Sequence, residues 1–221
     1  MAYRSEVFVF DGGRPVRAVV RNYTKDDFAD ILRIQSECFP PPFPSTLWWN
    51  EEQLTNHISL FPEGALCVEV DGRLVGSLTG LCVQFDPAHP SHRWEEMTDN
   101  GYIRNHNPKG NTLYIVDIAV SPQYRKWGLG KLLLQAMYQV VIELKLERLL
   151  GGGRMPGYHL HAPEMTVDDY VQAVMSGDIN DPVITFLLRC GRTPVAVVEN
   201  YLEDEESLNY GFLMEWKNPF N

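Results

Sequence analysis

The chain has 221 residues, 44% of them hydrophobic and 22% charged, and a formal net charge of −10. That length and balance fit one folded domain with a full core. The negative charge argues against broad nucleic-acid binding, which needs a positive field; it suits a cationic partner, or simply keeps the chain dispersed. No apolar run approaches the ~18 residues of a membrane span, and residues 1–11 carry no apolar signal core, so a cytoplasmic protein that binds no membrane is expected. Cys38, Cys67, Cys82 and Cys190 lie far apart with no C-x-x-C pair. They read as reduced thiols, and neither a disulfide framework nor a metal site is expected.

Residues 6–10 and 16–23 read as strands joined by Asp11-Gly12-Gly13, a hairpin signal, so residues 1–16 form an N-terminal hairpin extension. Thr24 stands where a helix cap is wanted, with Asp26 and Asp27 in the first turn. An apolar stripe then runs from Phe28 to Phe39 and stops at Pro40-Pro41-Pro42. A second helix is expected from Ser45 or Asn50 to Leu60, followed by strands at 65–70 and 73–85 around Asp71-Gly72. Residues 86–110, rich in Pro, His and Asn, form an excursion with one helical turn at 94–97. A β-rich run, 112–120, leads through a glycine-bearing loop into a long helix, 132–146, whose Leu133, Met137, Val140 and Leu144 share one face. A short strand at 147–153 follows. Residues 154–179 make a second excursion with a helix at 167–175. A helix at 182–190 and strands at 193–198 and 208–216 complete an α+β domain spanning 1–221, with a mixed, mostly antiparallel central sheet flanked by helices.

The loop of greatest chemical content is Ser121-Pro122-Gln123-Tyr124-Arg125-Lys126-Trp127-Gly128-Leu129-Gly130-Lys131. Strand, glycine loop and helix together aim main-chain N–H groups and the positive end of a helix dipole at one spot, which makes an anion site. Gly128 and Gly130 let a diphosphate approach the backbone, and Arg125, Lys126 and Lys131 add charge. No Gly-Lys-Ser/Thr ends the loop, so it is not a P-loop, and the third glycine of a dinucleotide fingerprint is absent.

The spacing Arg125-x-x-Gly128-x-Gly130 behind Ile118-Ala119-Val120 resembles the acyl-CoA loop of the GNAT N-acetyltransferases. Asn180 to Gly191 is similar to the Asn-led helix that follows the fifth strand of those enzymes. The likeness covers roughly residues 17–217. The wording at Tyr102 to Asn107 and Gly151 to Tyr158 resembles a GNAT subgroup fused to carbon–nitrogen hydrolase domains. The resemblance implies a three-layer GNAT-like fold, acetyl-CoA as donor and an amine as acceptor. It implies that Ile118, Ala119 and Val120 bond the pantetheine arm and that the amides of Lys126, Trp127, Gly128, Leu129, Gly130 and Lys131 hold the pyrophosphate. Asn180 is either a contact to the pantetheine end or a helix cap.

The departures from the family pattern concern the proton carriers. Leu187 occupies the position of the family's usual tyrosine acid, and Gly151-Gly152-Gly153 stands where a glutamate base is common. Asp117, in an otherwise apolar strand, is the candidate replacement base, with a raised pKa or a polar cleft expected. Tyr158 and His159 are further candidates for proton transfer, and His161 belongs to the same cluster. Arg104, Asn105, His106 and Arg154 are candidate acceptor contacts or bind the protein's own chain, and Trp48 and Trp49 are candidate lid residues. Two excursions near the cleft favour a small-molecule amine over a peptide. A CoA-binding sensor without turnover is the alternative. Strands near the C-terminus can pair across a homodimer.

Overall fold

The computed structural model describes residues 3–221. Its strands are β1 (Arg4–Asp11), β2 (Arg14–Asn22), β3 (Ala65–Val70), β4 (Arg73–Val83), β5 (Thr112–Val120), β6 (Arg148–Gly153), β7 (Thr193–Val198) and β8 (Gly211–Lys217). They form one sheet in the order β1-β2-β3-β4-β5-β6-β8-β7. Every neighbouring pair is antiparallel except β5 and β6. The helices are α1 (Phe28–Cys38), α2 (Glu51–Leu60), α3 (Trp94–Thr98), α4 (Leu129–Glu143), α5 (Tyr158–His161), α6 (Val167–Ser176) and α7 (Ile184–Arg189). The mixed, mostly antiparallel sheet expected from the sequence is present. Met1 and Ala2, part of the hairpin extension, lie outside the described residues.

Helices cover both faces, and the residues of the middle strands show which lies where. Thr79 of β4 meets Tyr23 on one face, and Gln35 of α1 reaches Asp117 on that same face. Gly80 faces the other way, where a Cβ would touch Met137 of α4 at 3.4 Å. Leu133, Met137 and Val140 of α4 are buried against the sheet, as their spacing requires. Leu144 is 42% exposed and lies beyond the end of α4, so it leaves that stripe.

Some element ends move for local reasons. The long helix begins at Leu129, three residues earlier than the apolar stripe suggests, because Gly128 takes a left-handed φ of 82° and serves as its N-cap. α7 begins at Ile184, with Val183 at its N-cap; the side chain that satisfies its first main-chain donors is that of Asp181, not Asn180, and Asp181 Oδ1 accepts from Val183 and Ile184, both at 2.8 Å. The last strand starts at Gly211, since Leu208 and Asn209 adopt φ values of 49° and 64°. All four cysteines are free.

Candidate active site

The central feature is a gap between neighbouring strands. β5 and β6 pair only from Thr112↔Arg148 to Tyr114↔Leu150. Beyond that, β5 stays with β4 as far as Val120↔Gly76, and β6 stays with β8 as far as Gly153↔Phe212. The two strands therefore diverge like the arms of a V. A bulge in β5 contributes: Thr79 opposes Asp117 and Gly80 opposes Ile115, so Val116 is the extra residue. Such a bulge bends and twists its strand. The freed Val116 carbonyl accepts the Trp94 indole N–H at 3.0 Å.

Three glycines line the other arm, and each makes room for a neighbour. A Cβ on Gly152 would overlap the Tyr201 ring, one on Gly153 would sit 3.0 Å from Ile184 and Leu187, and one on Gly151 would sit 3.2 Å from Ile115. Tyr201 thus fills the space at the apex on the α1 face, its hydroxyl hydrogen-bonded to that of Tyr114 at 2.5 Å. α7 fills the opposite face.

At the open end of β5 the chain turns into α4. Lys126 and Gly128 have φ values of 70° and 82°. Among the described residues, the main-chain N–H groups of 126–131 meet no protein acceptor, whereas those of Ser121, Tyr124, Arg125 and Leu132 do. An arc of unpaired donors at the start of a 15-residue helix is a receptor for an anion. Arg125, Lys126 and Lys131 are exposed beside it. None of the three forms an ion pair with a described carboxylate.

Asp117 lies on the β5 arm, on the face opposite α4. It keeps some exposure, yet its carboxyl packs beneath α1. Gln35 Nε2 donates to Oδ2 at 2.7 Å. Burial pushes the carboxyl up to about 7, against the pull of hydrogen bonds from Gln35, the Ile118 main chain and Trp49. Behind it runs a buried polar chain. The Tyr23 hydroxyl lies 3.0 Å from both Thr79 Oγ1 and His57 Nδ1, and His57 Nε2 lies 2.7 Å from the Gly101 carbonyl. A carbonyl can only accept, so Nε2 carries the proton, Nδ1 accepts from Tyr23, and Tyr23 accepts from Thr79. Burial holds His57 down at about 4, hence neutral. Gln35, Tyr23, His57 and Thr79 carry no motif, and no sequence signal short of the fold marks them.

The other sequence candidates fall in several places. Arg104 pairs with Asp99, Asn105 donates to the carbonyls of Glu96 and Met97, and His106 accepts from the Cys82 main chain and stacks on Phe61 at 4.6 Å. Arg104 and Asn105 line a surface hollow of about 540 Å³ with Glu95, Glu96, Asp99 and Asn100; no residue of β5 or of the amide arc lines it. Arg154 is held by Asp204 and Glu206. Tyr158 is buried among Tyr170 and Tyr210, at ring distances of 5.3 and 5.8 Å. His159 is exposed, with Nδ1 3.0 Å from the Glu206 carbonyl. Asn180 is exposed beside the cap. Among the described residues no group of three or more His, Cys, Asp and Glu could hold a metal, and no helix is long and apolar enough to cross a membrane.

A mixed sheet opened between two middle strands, with an anion-receptive helix start at the end of one of them, gives the chain a cleft with an anion receptor at its mouth. The acetyltransferase (GNAT) family model matches residues 28–155, more than half the chain, and the chain belongs to this family. It is therefore an acyltransferase. It is 56% identical over 220 residues to the uncharacterized N-acetyltransferase YkwB of Bacillus subtilis (strain 168), covering 100% of this chain and 97% of that one. It is 39% identical over 203 residues to the probable hydrolase YhcX of the same organism, covering 91% of this chain but 39% of that longer protein. Among solved structures, the GNAT-like decarboxylase GphF in complex with isobutyryl-CoA superimposes with a TM-score of 0.77 at 22% identity, covering 90% of this chain and 98% of that one.

Proposed function

We propose that the protein transfers the acetyl group of acetyl-CoA to the amine of a small molecule by direct attack in a ternary complex. The observation that carries this reading is the placement of two features on opposite faces of one gap: the unpaired amide arc at the α4 end and Asp117 on the α1 face. A diphosphate fits the arc because its donors are unpaired, Gly128 has no neighbour within 4 Å of its missing Cβ, and the flanking cations form no ion pair with a described carboxylate. Acetyl-CoA, when bound, supplies an activated thioester. Lys126 to Lys131 would hold its diphosphate, Ile118 to Val120 would meet its pantetheine arm, and Asn180 would meet the end of that arm.

The chain's own chemistry then concerns protons. An amine attacks only as the free base. A carboxylate poised near 7 accepts a proton at neutral pH and releases it again, which suits Asp117 as the general base. Tyr158 and His159 are left with packing and loop-tethering roles. Leu187 offers no hydroxyl, and the reading needs none, because a thiol with a pKa of about 8.5 is a fair leaving group near neutrality. Burial raises all four thiols, Cys38, Cys67 and Cys82 to about 11, 12 and 12, and outweighs the opposing pull of Arg125 on Cys38, Arg21 on Cys67, and Lys131 and Arg192 on Cys190. Direct transfer is favoured over an acyl-enzyme on that ground.

Titration with acetyl-CoA by calorimetry, followed by measurement of thiol release with a panel of small amines, tests the proposal. Micromolar binding with amine-dependent release is expected. Binding without turnover on any amine would support a sensor instead, and no binding would remove both readings.

A further inference from the structure

Arg154 directly follows β6, yet its guanidinium does not stay on that arm of the gap. It lies 4.7 Å above the Phe43 ring and 6.0 Å from that of Phe39. Phe39 and Phe43, themselves 5.0 Å apart, belong to the loop leaving α1. The last turn of α1, from which that loop departs, is fastened to the β5 arm: Gln35 donates to Asp117, and Cys38 Sγ donates to the Val120 carbonyl at 3.2 Å. On its other edge Arg154 donates to both oxygens of Asp204, at 2.8 and 2.6 Å, and to Glu206 at 2.8 Å. These acids lie on the connection between β7 and β8, which the Met155 main chain also joins through Ser207 Oγ at 2.8 Å. The guanidinium thus joins a carboxylate fork while its carbon lies over aromatic rings, a combination no lysine can reproduce. It runs from one arm of the V to the other on the face where Asp117 lies, the face left to an acceptor if the thioester arrives from the α4 end.

We propose that Arg154 is a specificity-determining strap that holds the 39–44 loop over the acceptor side of the gap and limits acceptors to small amines. The acceptor part of this inference rests on the function proposed above; the strap itself does not. Its carboxylate partners neutralise the guanidinium, so Arg154 is not free to receive a carboxylate on the acceptor.

The test compares wild type with Arg154→Gln and, as a variant that leaves the ionic cluster intact, Phe43→Ala. Hydrogen–deuterium exchange of residues 39–48 is read first. Release of the loop should speed exchange there by about tenfold or more in both variants, with α4 unchanged. Next, kcat/KM is measured over a graded series from ethylamine to a hexapeptide N-terminus. The ratio of peptide to ethylamine should rise about tenfold in both variants, at an unaltered KM for acetyl-CoA. Unchanged exchange in both variants overturns the strap. Faster exchange with an unchanged acceptor ratio overturns its role in specificity. A wild type that binds acetyl-CoA and turns over no amine removes the acceptor part through the proposed function, while the exchange arm still decides the strap.

Discussion

Gln35 Nε2 donates to Asp117 Oδ2 at 2.7 Å, and this bond joins the last turn of α1 to the β5 arm of the gap. It orients a carboxylate that burial pushes to about 7. A buried amide that can only donate at that nitrogen favours the ionised acid, and burial favours the protonated one; their balance places the group where it can cycle near neutrality.

Replacing Asp117 by Asn should lower kcat by about 10²–10⁴-fold, the usual contribution of a positioned base. The KM for acetyl-CoA should stay near the wild-type value. In wild type, kcat/KM should rise with pH through an apparent pKa near 7, and this limb should vanish in the variant. A profile identical in both proteins would remove Asp117 from the reaction.

Two buried groups should act on stability in opposite senses. Asp117 rises from 3.8 to about 7 on folding, so between those values the folded state binds more protons and stability falls as pH rises. His57 drops from 6.5 to about 4, so the folded state binds fewer protons and stability rises with pH between about 4 and 6.5. In wild type the slopes largely offset between pH 4 and 6.5. Asp117→Asn should unmask the acid lability of His57, with the melting temperature falling on acidification. His57→Gln should do the reverse. Thermal melts from pH 4 to 7 decide this.

Gly128 has a φ of 82° and open space where a Cβ would stand. Gly128→Ala therefore meets backbone strain of about 1 kcal/mol and no clash. Part of that strain should be relieved by distorting the amide arc. A rise of several-fold in the KM for acetyl-CoA is expected with kcat little altered. An unchanged KM would disconnect the arc from donor binding.

Gly152→Ala should be far more damaging to the fold, since the new methyl would occupy the volume of the Tyr201 ring, which is 2% exposed. Overpacking of this kind costs about 1–3 kcal/mol or more. The double variant with Tyr201→Leu should recover part of the loss, measurable by urea denaturation.

Asp181 is fully buried and accepts from four donors: Val183 and Ile184 at 2.8 Å, the Tyr170 hydroxyl at 2.8 Å and the Gly157 main chain at 3.3 Å. Asp181→Ala strands them all. A loss of roughly 2–4 kcal/mol is expected from the missing cap and the buried orphan donors. A stability within 0.5 kcal/mol of wild type, roughly the scatter of surface substitutions, would show that the cap is dispensable.

Much of this protein was legible in its sequence because the signals are local. A β-rich, apolar run marked β5 at 112–120, and the strand expected at 193–198 is β7, both as found. Gly12-Gly13 marked the hairpin, whose two glycines have φ values of 54° and 101°. The glycine loop marked the turn from β5 into a helix, because a glycine accepts the left-handed backbone found at Gly128, although the helix begins three residues before the apolar stripe. An aspartate in an apolar strand likewise announced either a raised pKa or a polar cleft, and burial raises it. Other features depend on residues far apart in the chain. Gln35 and Asp117 are separated by 82 positions, and Arg154 and Asp204 by 50. The parting of β5 from β6 arises from a bulge at Val116 and a triple glycine that yields its space to Tyr201 and α7. No periodicity encodes such an arrangement, because packing between elements, not the preference of any one residue, decides which partners meet.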